Sequence, residues 1–176
     1  ILWGIQTDTS DPLGIITNTN FNININQEFI NSNMNSFVGS YNQKFHNFSA
    51  KTAFNSSGEK HSLWEWSKLN RLNEITIPQK LVHVKYINQL STETKTTKQI
   101  KNQILTTLNL IKGNYRQNTI IQQWNDFNID TIFHITEFET HVSTGFYIRQ
   151  LIEDFAAQTG HIGLAYNINR IRIITD

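Results

Sequence analysis

Cysteine is absent from the 176 residues, which excludes disulfides, thiolate nucleophiles and cysteine-bound zinc. The lack fits a reducing compartment, the cytoplasm or an organelle matrix, and not a secreted protein. No apolar run reaches the ~20 residues that a membrane-spanning helix needs. Nor does a charged-then-apolar leader open the chain, so no membrane association is expected. Charge is also scarce: 16% of residues are charged and the formal net charge is +1. Whole-molecule attraction to phosphate is therefore weak, and any contact with nucleic acid has to come from local patches. The histidines, at 46, 61, 83, 134, 141 and 161, lack the spacing of a helical zinc motif, and no glycine-rich phosphate loop occurs. No metal site is expected.

What is present is a chain long enough for one sizeable core, with 38% hydrophobic residues. Asn and Ile are over-represented, and the Asn-rich stretch from Asn18 to Asn35 reads as compositional drift on a fold and not as a recognition tract. The chain opens on Ile1-Leu2-Trp3-Gly4, an apolar run like the end of a strand, and is expected to be an internal piece of a longer polypeptide.

The pattern predicts a strand from Ile1 to Gln6, the polar loop Thr7-Asp8-Thr9-Ser10-Asp11-Pro12-Leu13-Gly14, and a returning strand at Ile15 and Ile16. Ile30, Met34, Phe37 and Val38 recur at helical spacing between an Asn26 cap and a Gly39 stop. Asn55 to Gly58 signals a turn, Leu63 to Lys68 a short helix, and Lys80 to Leu90 a strand after Pro78. Thr96 to Gly113 has the clearest helical stripe, in Ile100, Ile104, Leu105, Leu108 and Ile111, and a second helical stretch passes through Ile120, Ile121 and Trp124. Phe133 to Val142 reads as strand. Beyond Gly145 a helix carries Ile148, Leu151, Ile152 and Phe155 towards Gly160, and Ile168 to Ile174 alternates as a last strand. The expected fold is α+β, a mixed, mostly antiparallel sheet with helices packed on one side.

Arg149, in Ser143-Thr144-Gly145-Phe146-Tyr147-Ile148-Arg149 at a strand-to-helix junction, can fork two hydrogen bonds to a carboxylate. Asp11 closes the polar loop as a turn cap or as a group aimed into a cleft. Glu153 and Asp154, one turn beyond Arg149, read as members of helix-surface pairs. Trp64 and Trp66, flanking Glu65, could stack bases but sit among apolar neighbours, as a packed edge would.

Three stretches resemble the TruB family of tRNA pseudouridine synthases. Gln6 to Gly14 is similar to its Thr-Asp-Thr-x-Asp-x-x-Gly loop. Ser49-Ala50-Lys51, then Gly58 and Leu63-Trp64-Glu65, are similar to its Ser-Ala-x-Lys, Gly, Leu-Tyr-Glu succession. Ser143 to Arg149 resembles Ser-x-Gly-Thr-Tyr-Ile-Arg, and Gly160 with Ile168 to Ile173 resembles its Gly, then Leu-Arg-Arg-x-Arg-Ile. Order and approximate spacing agree over nearly the whole chain. The resemblance implies an isomerase for a uridine in the TΨC loop of tRNA, working without cofactor or metal on a base flipped out of the stack. It implies that Arg149 orients the nucleophilic aspartate, that Asp11 holds this arginine, that Tyr147 packs on the base and that Ile168 lies beneath it. Lys51, Arg170 and Arg172 are the expected RNA-binding residues.

The chain departs from the family pattern in several places. The Gly-His-x-Gly-Thr-Leu-Asp motif that carries the family's nucleophile is not in this sequence, nor is the C-terminal PUA region. Phe146 stands for Thr and Asn169 for an Arg. Residues 95–126 read as a helical insertion within a partial catalytic domain spanning 1–176. The expectation is an enzyme whose aspartate comes from an upstream segment or a separate chain. The alternative is a catalytically inactive relative that binds RNA or serves as a structural subunit of a ribonucleoprotein such as a ribosome.

Overall fold

The computed structural model describes residues 1–22, 26–113 and 115–172. The opening apolar run divides at Gly4 into two strands, β1 (Leu2–Trp3) and β2 (Ile5–Thr7). β2 forms a hairpin with β3 (Ile16–Thr19), and the polar loop is its tip. Helix α1 (Gln27–Asn35) begins at Asn26, whose side chain accepts the Phe29 N–H as expected, but it ends before Phe37 and Val38. β4 (Gly39–Lys44) follows. Then β5 (Thr52–Phe54) and β6 (Lys60–Ser62) make a small hairpin across the Asn55–Gly58 turn, and α2 (Leu63–Lys68) starts on a Ser62–Glu65 capping box.

β7 (Gln79–Thr96) is six residues longer at its C-terminal end than the pattern predicts, because β8 (Ile132–Val142) pairs with it all the way to Thr96. Thr96 is at once the last strand residue and the N-cap of α3 (Thr97–Leu110), in a capping box with Gln99. α3 stops at Leu110 and not at Gly113. Ile111 turns extended instead, and its side chain packs on the core. α4 (Gln117–Asp126) packs against α3, α5 (Ile148–Thr159) ends on Gly160 in the left-handed region, and β9 (Gly163–Leu164) closes the list.

The main sheet has the order β4-β7-β8-β1-β9 and curls as a half-barrel; every pairing among the described residues is antiparallel. The helices cover both faces and not one. Leu2 and Trp3, adjacent in β1, point to opposite sides and join different clusters: Leu2 meets Phe133, Ile135, Ile100, Ile104 and Trp124, whereas Trp3 meets Val84, Ile87, Leu151 and Phe155. Both faces are apolar, so α3 and α4 cover one and α1 and α5 the other. A third, smaller cluster around Leu63 and Trp66 holds the β5–β6–α2 region.

The strand expected over Ile168–Ile174 does not form in its described part: residues 165–172 carry no ladder, while Ile173 and Ile174 lie outside the described residues. Alternation permits a strand, but a strand also needs a partner, and the side of β1 away from β8 is paired with Gly163 and Leu164. Among the described residues no helix is long and apolar enough to cross a membrane.

Candidate functional site

The loop between β2 and β3 is specified by its own side chains. The Thr7 hydroxyl donates to the Asp11 carbonyl at 2.6 Å, and Ser10 N–H donates to the Thr7 carbonyl at 3.1 Å. Ser10, fully buried, adopts φ 55°, a region that residues with a Cβ rarely enter. Its carbonyl accepts from Ala165 N–H at 2.9 Å, just after β9. Gly14 closes the loop where no side chain fits: a Cβ there would collide with Thr9 Oγ1 and lie 2.7 Å from Asp8 Oδ1. The loop's glycine is therefore a packing requirement.

The two Asp11 oxygens have separate partners. Oδ1 accepts the Thr9 hydroxyl at 2.8 Å and the Leu13 N–H at 3.0 Å, as a turn cap does, whereas Oδ2 accepts from Arg149 Nη1 at 2.9 Å. Asp11 is thus a turn cap that also pairs with Arg149. Arg149 Nη1 also donates to the Thr9 carbonyl at 3.0 Å and Nη2 to the Phe48 carbonyl at 3.3 Å. Arg149 is the second residue of α5, whose Leu151, Ile152 and Phe155 are buried, so the guanidinium springs from a rigid base. Of its five N–H groups, three are taken; Nε–H and one Nη2 hydrogen have no partner among the described residues. Those two donors are enough for one more carboxylate.

Glu153 is not a helix-surface residue. One turn after Arg149, it faces the same loop: Ser10 Oγ donates to its Oε1, and His46 Nε2 lies 3.3 Å from that oxygen, off the line of a hydrogen bond. His46 is fully buried and its Nδ1 accepts the Phe48 N–H at 3.1 Å, so Nε2 carries the proton in the neutral ring. Burial pushes the Glu153 carboxyl up, but His46, Ser10 and Gln150 outweigh it and hold it below the usual carboxylate range. Asp154 goes the other way: burial, and next the charge of Glu153, raise it despite the Gln150 amide. α5 thus grips two loops with two side chains. Arg149 ties Thr9 and Asp11 to the Phe48 carbonyl, and Glu153 links Ser10 to His46.

The other expected site residues are less concentrated. Tyr147 is fixed by its backbone, which exchanges two hydrogen bonds with the Gln43 amide, while its ring stands edge-on to Phe45 at 5.5 Å. Lys51 lies over the same Phe45 ring at 5.2 Å. Ile168 and Asp11 line one groove of about 1330 Å³ with Ile148, Leu151 and Ile152. Arg170 and Arg172 are exposed on the segment beyond β9. Trp66 is fully buried, whereas Trp64 is 39% exposed beneath Lys68 at 4.8 Å. Among the described residues no three His, Asp or Glu side chains gather closely enough to hold a metal ion.

Sequence reasoning missed His46, Glu153 and Arg116. The available signal for Glu153 was its spacing of four from Arg149, which puts both on one helix face. Arg116 gave none. Set beside models of known protein families and beside curated proteins, the chain matches none of them.

Proposed function

We propose that this chain forms part of a pseudouridine synthase of the TruB type, which isomerises a uridine in the TΨC loop of tRNA. The observation that carries the reading is the pairing of Arg149 with Asp11, 138 residues apart in sequence and 2.9 Å apart in space. In the reaction an aspartate attacks the flipped uridine, the base detaches, turns, and rejoins the ribose through carbon. All bonds broken and made are within the nucleotide and its covalent adduct, so no cofactor is required.

The nucleophilic aspartate lies outside these 176 residues in this reading, in an upstream segment or a separate chain. Asp11 does not take its place, because its two oxygens are already committed to Thr9, Leu13 and Arg149. The two open donors of Arg149 would hold the incoming carboxylate ionised and fix its rotamer. Aromatic rings beneath lysines, Phe45 with Lys51, Phe54 with Lys60 and Trp64 with Lys68, support RNA as the partner, since stacked bases and phosphates need both groups.

The test incubates the full-length protein with a TΨC stem-loop and scores pseudouridine. Arg149→Lys keeps the charge and loses the fork, and should slow product formation about tenfold or more with little change in RNA affinity. Wild-type protein that binds the stem-loop without product would overturn the enzymatic reading in favour of an inactive RNA-binding or structural subunit. Full activity in Arg149→Lys would overturn the role given to the guanidinium.

A further inference from the structure

The α3–α4 pair does more than cover one face of the sheet, because its connection reaches the polar loop. Arg116, at the start of α4, donates from Nη1 to Asp8 Oδ2 at 2.6 Å and from Nη2 to Asp8 Oδ1 at 3.3 Å. Its guanidinium carbon lies 5.3 Å from the centre of the Phe48 ring. One side chain therefore touches both segments that Arg149 touches, from the opposite end: Asp8 in the loop, and the residue whose carbonyl accepts from Arg149.

Three independent features set this contact apart from an ordinary surface ion pair, which contributes little. Arg116 has φ 68°, a left-handed conformation that a bulky residue seldom adopts unless its surroundings impose it. α4 begins with no side-chain cap and with an arginine, the unfavourable charge for a helix N-terminus, and Asp8 is the carboxylate that offsets it. A second tie runs alongside. Gln123 of α4 accepts the Ile16 N–H at 2.9 Å, on the strand that returns from the loop. Asp8 passes the constraint on, since its Oδ1 also accepts the Ile15 N–H at 2.8 Å across the neck of the loop.

Resting on the proposed function, we infer that Arg116 is a positioning residue for the site: it anchors the neck of the Asp11 loop to the α3–α4 pair and so fixes where Arg149 is held. Asp8 is the intermediary and Gln123 the parallel support. A sequence segment read as an insertion becomes a working part of the site.

The experiment uses the full-length protein and two kinds of readout. The first is independent of activity: hydrogen exchange, followed by NMR, of the Ile15 amide, bonded to Asp8, and of the Leu13 amide, bonded to Asp11. The second is the kcat and KM for pseudouridine formation on the stem-loop. Arg116→Gln should speed both exchanges about tenfold and lower kcat about tenfold, leaving KM within about twofold, while Arg116→Lys should recover part of each loss. A fall in thermal stability alone, with exchange at Ile15 and Leu13 unchanged, would overturn the inference, as would loosened exchange in an active protein whose kcat does not move. If the wild type makes no pseudouridine, the proposed function fails, and the exchange measurements by themselves decide whether Arg116 holds the loop. Should Arg116→Gln not fold, Arg116→Lys carries the same comparison.

Discussion

Replacing Glu153 with Gln keeps the shape of the side chain and removes the charge that faces Ser10 and His46. A hydrogen bond to an ionised acceptor contributes roughly 1.5–3 kcal/mol and a neutral one about 1 kcal/mol. The Gln carbonyl still accepts from Ser10, so the difference at neutral pH comes to about 0.5–2 kcal/mol. Glu153 is only 26% exposed, so water replaces little of what is lost. For a chain of this length the change lowers Tm by about 1–8 °C. The pH dependence is the sharper signature. Because the folded carboxyl is held below its ordinary 4.5, its stabilisation is complete above that value and is lost as the pH falls through the lowered one. The gap between wild type and Glu153→Gln in urea titrations from pH 7 down to pH 3 should therefore narrow once the pH drops below 4.5. A gap that stays constant across that range, or no gap at pH 7, would refute the assignment of Glu153 as an ionised tie between the two loops.

Gly14→Ala should destabilise by about 1–3 kcal/mol, although an alanine in a relaxed loop normally stabilises, since its Cβ would press on Thr9 and Asp8; a stabilised variant in thermal melts would contradict the packing described. Trp66→Ala should cost about 3–5 kcal/mol locally, because the ring packs edge-on to His61 at 5.0 Å and under the Arg71 guanidinium at 5.0 Å and anchors a cluster separate from the main sheet. Limited trypsin digestion should then cut first at Lys60, Lys68 and Arg71, and unchanged cleavage there would argue against a separately stabilised unit.

Local elements were largely legible because their determinants are local. Asn26 and Gly160 mark helix ends by the hydrogen bonds or backbone freedom of single residues, and the α5 stripe of Leu151, Ile152 and Phe155 follows from helical period alone. The errors fall where a distant partner decides. β7 outran its expected end because β8 was there to pair with it, and the alternation of residues 168–172 met no partner strand. Leu2 and Trp3 read as one apolar run, yet they belong to two cores on opposite faces.

By itself the sequence determined the Asn26 and Gly160 helix caps, the self-bonding polar loop, the amphipathic helix behind Arg149 and the absence of thiol chemistry, each set by residues within a few positions of one another. Only the tertiary structure decided that Arg149 meets Asp11, that Glu153 turns from solvent to His46 and Ser10, and that Arg116 reaches Asp8. Pairings across more than a hundred residues depend on how the whole sheet curls, and no local pattern of side chains carries that geometry.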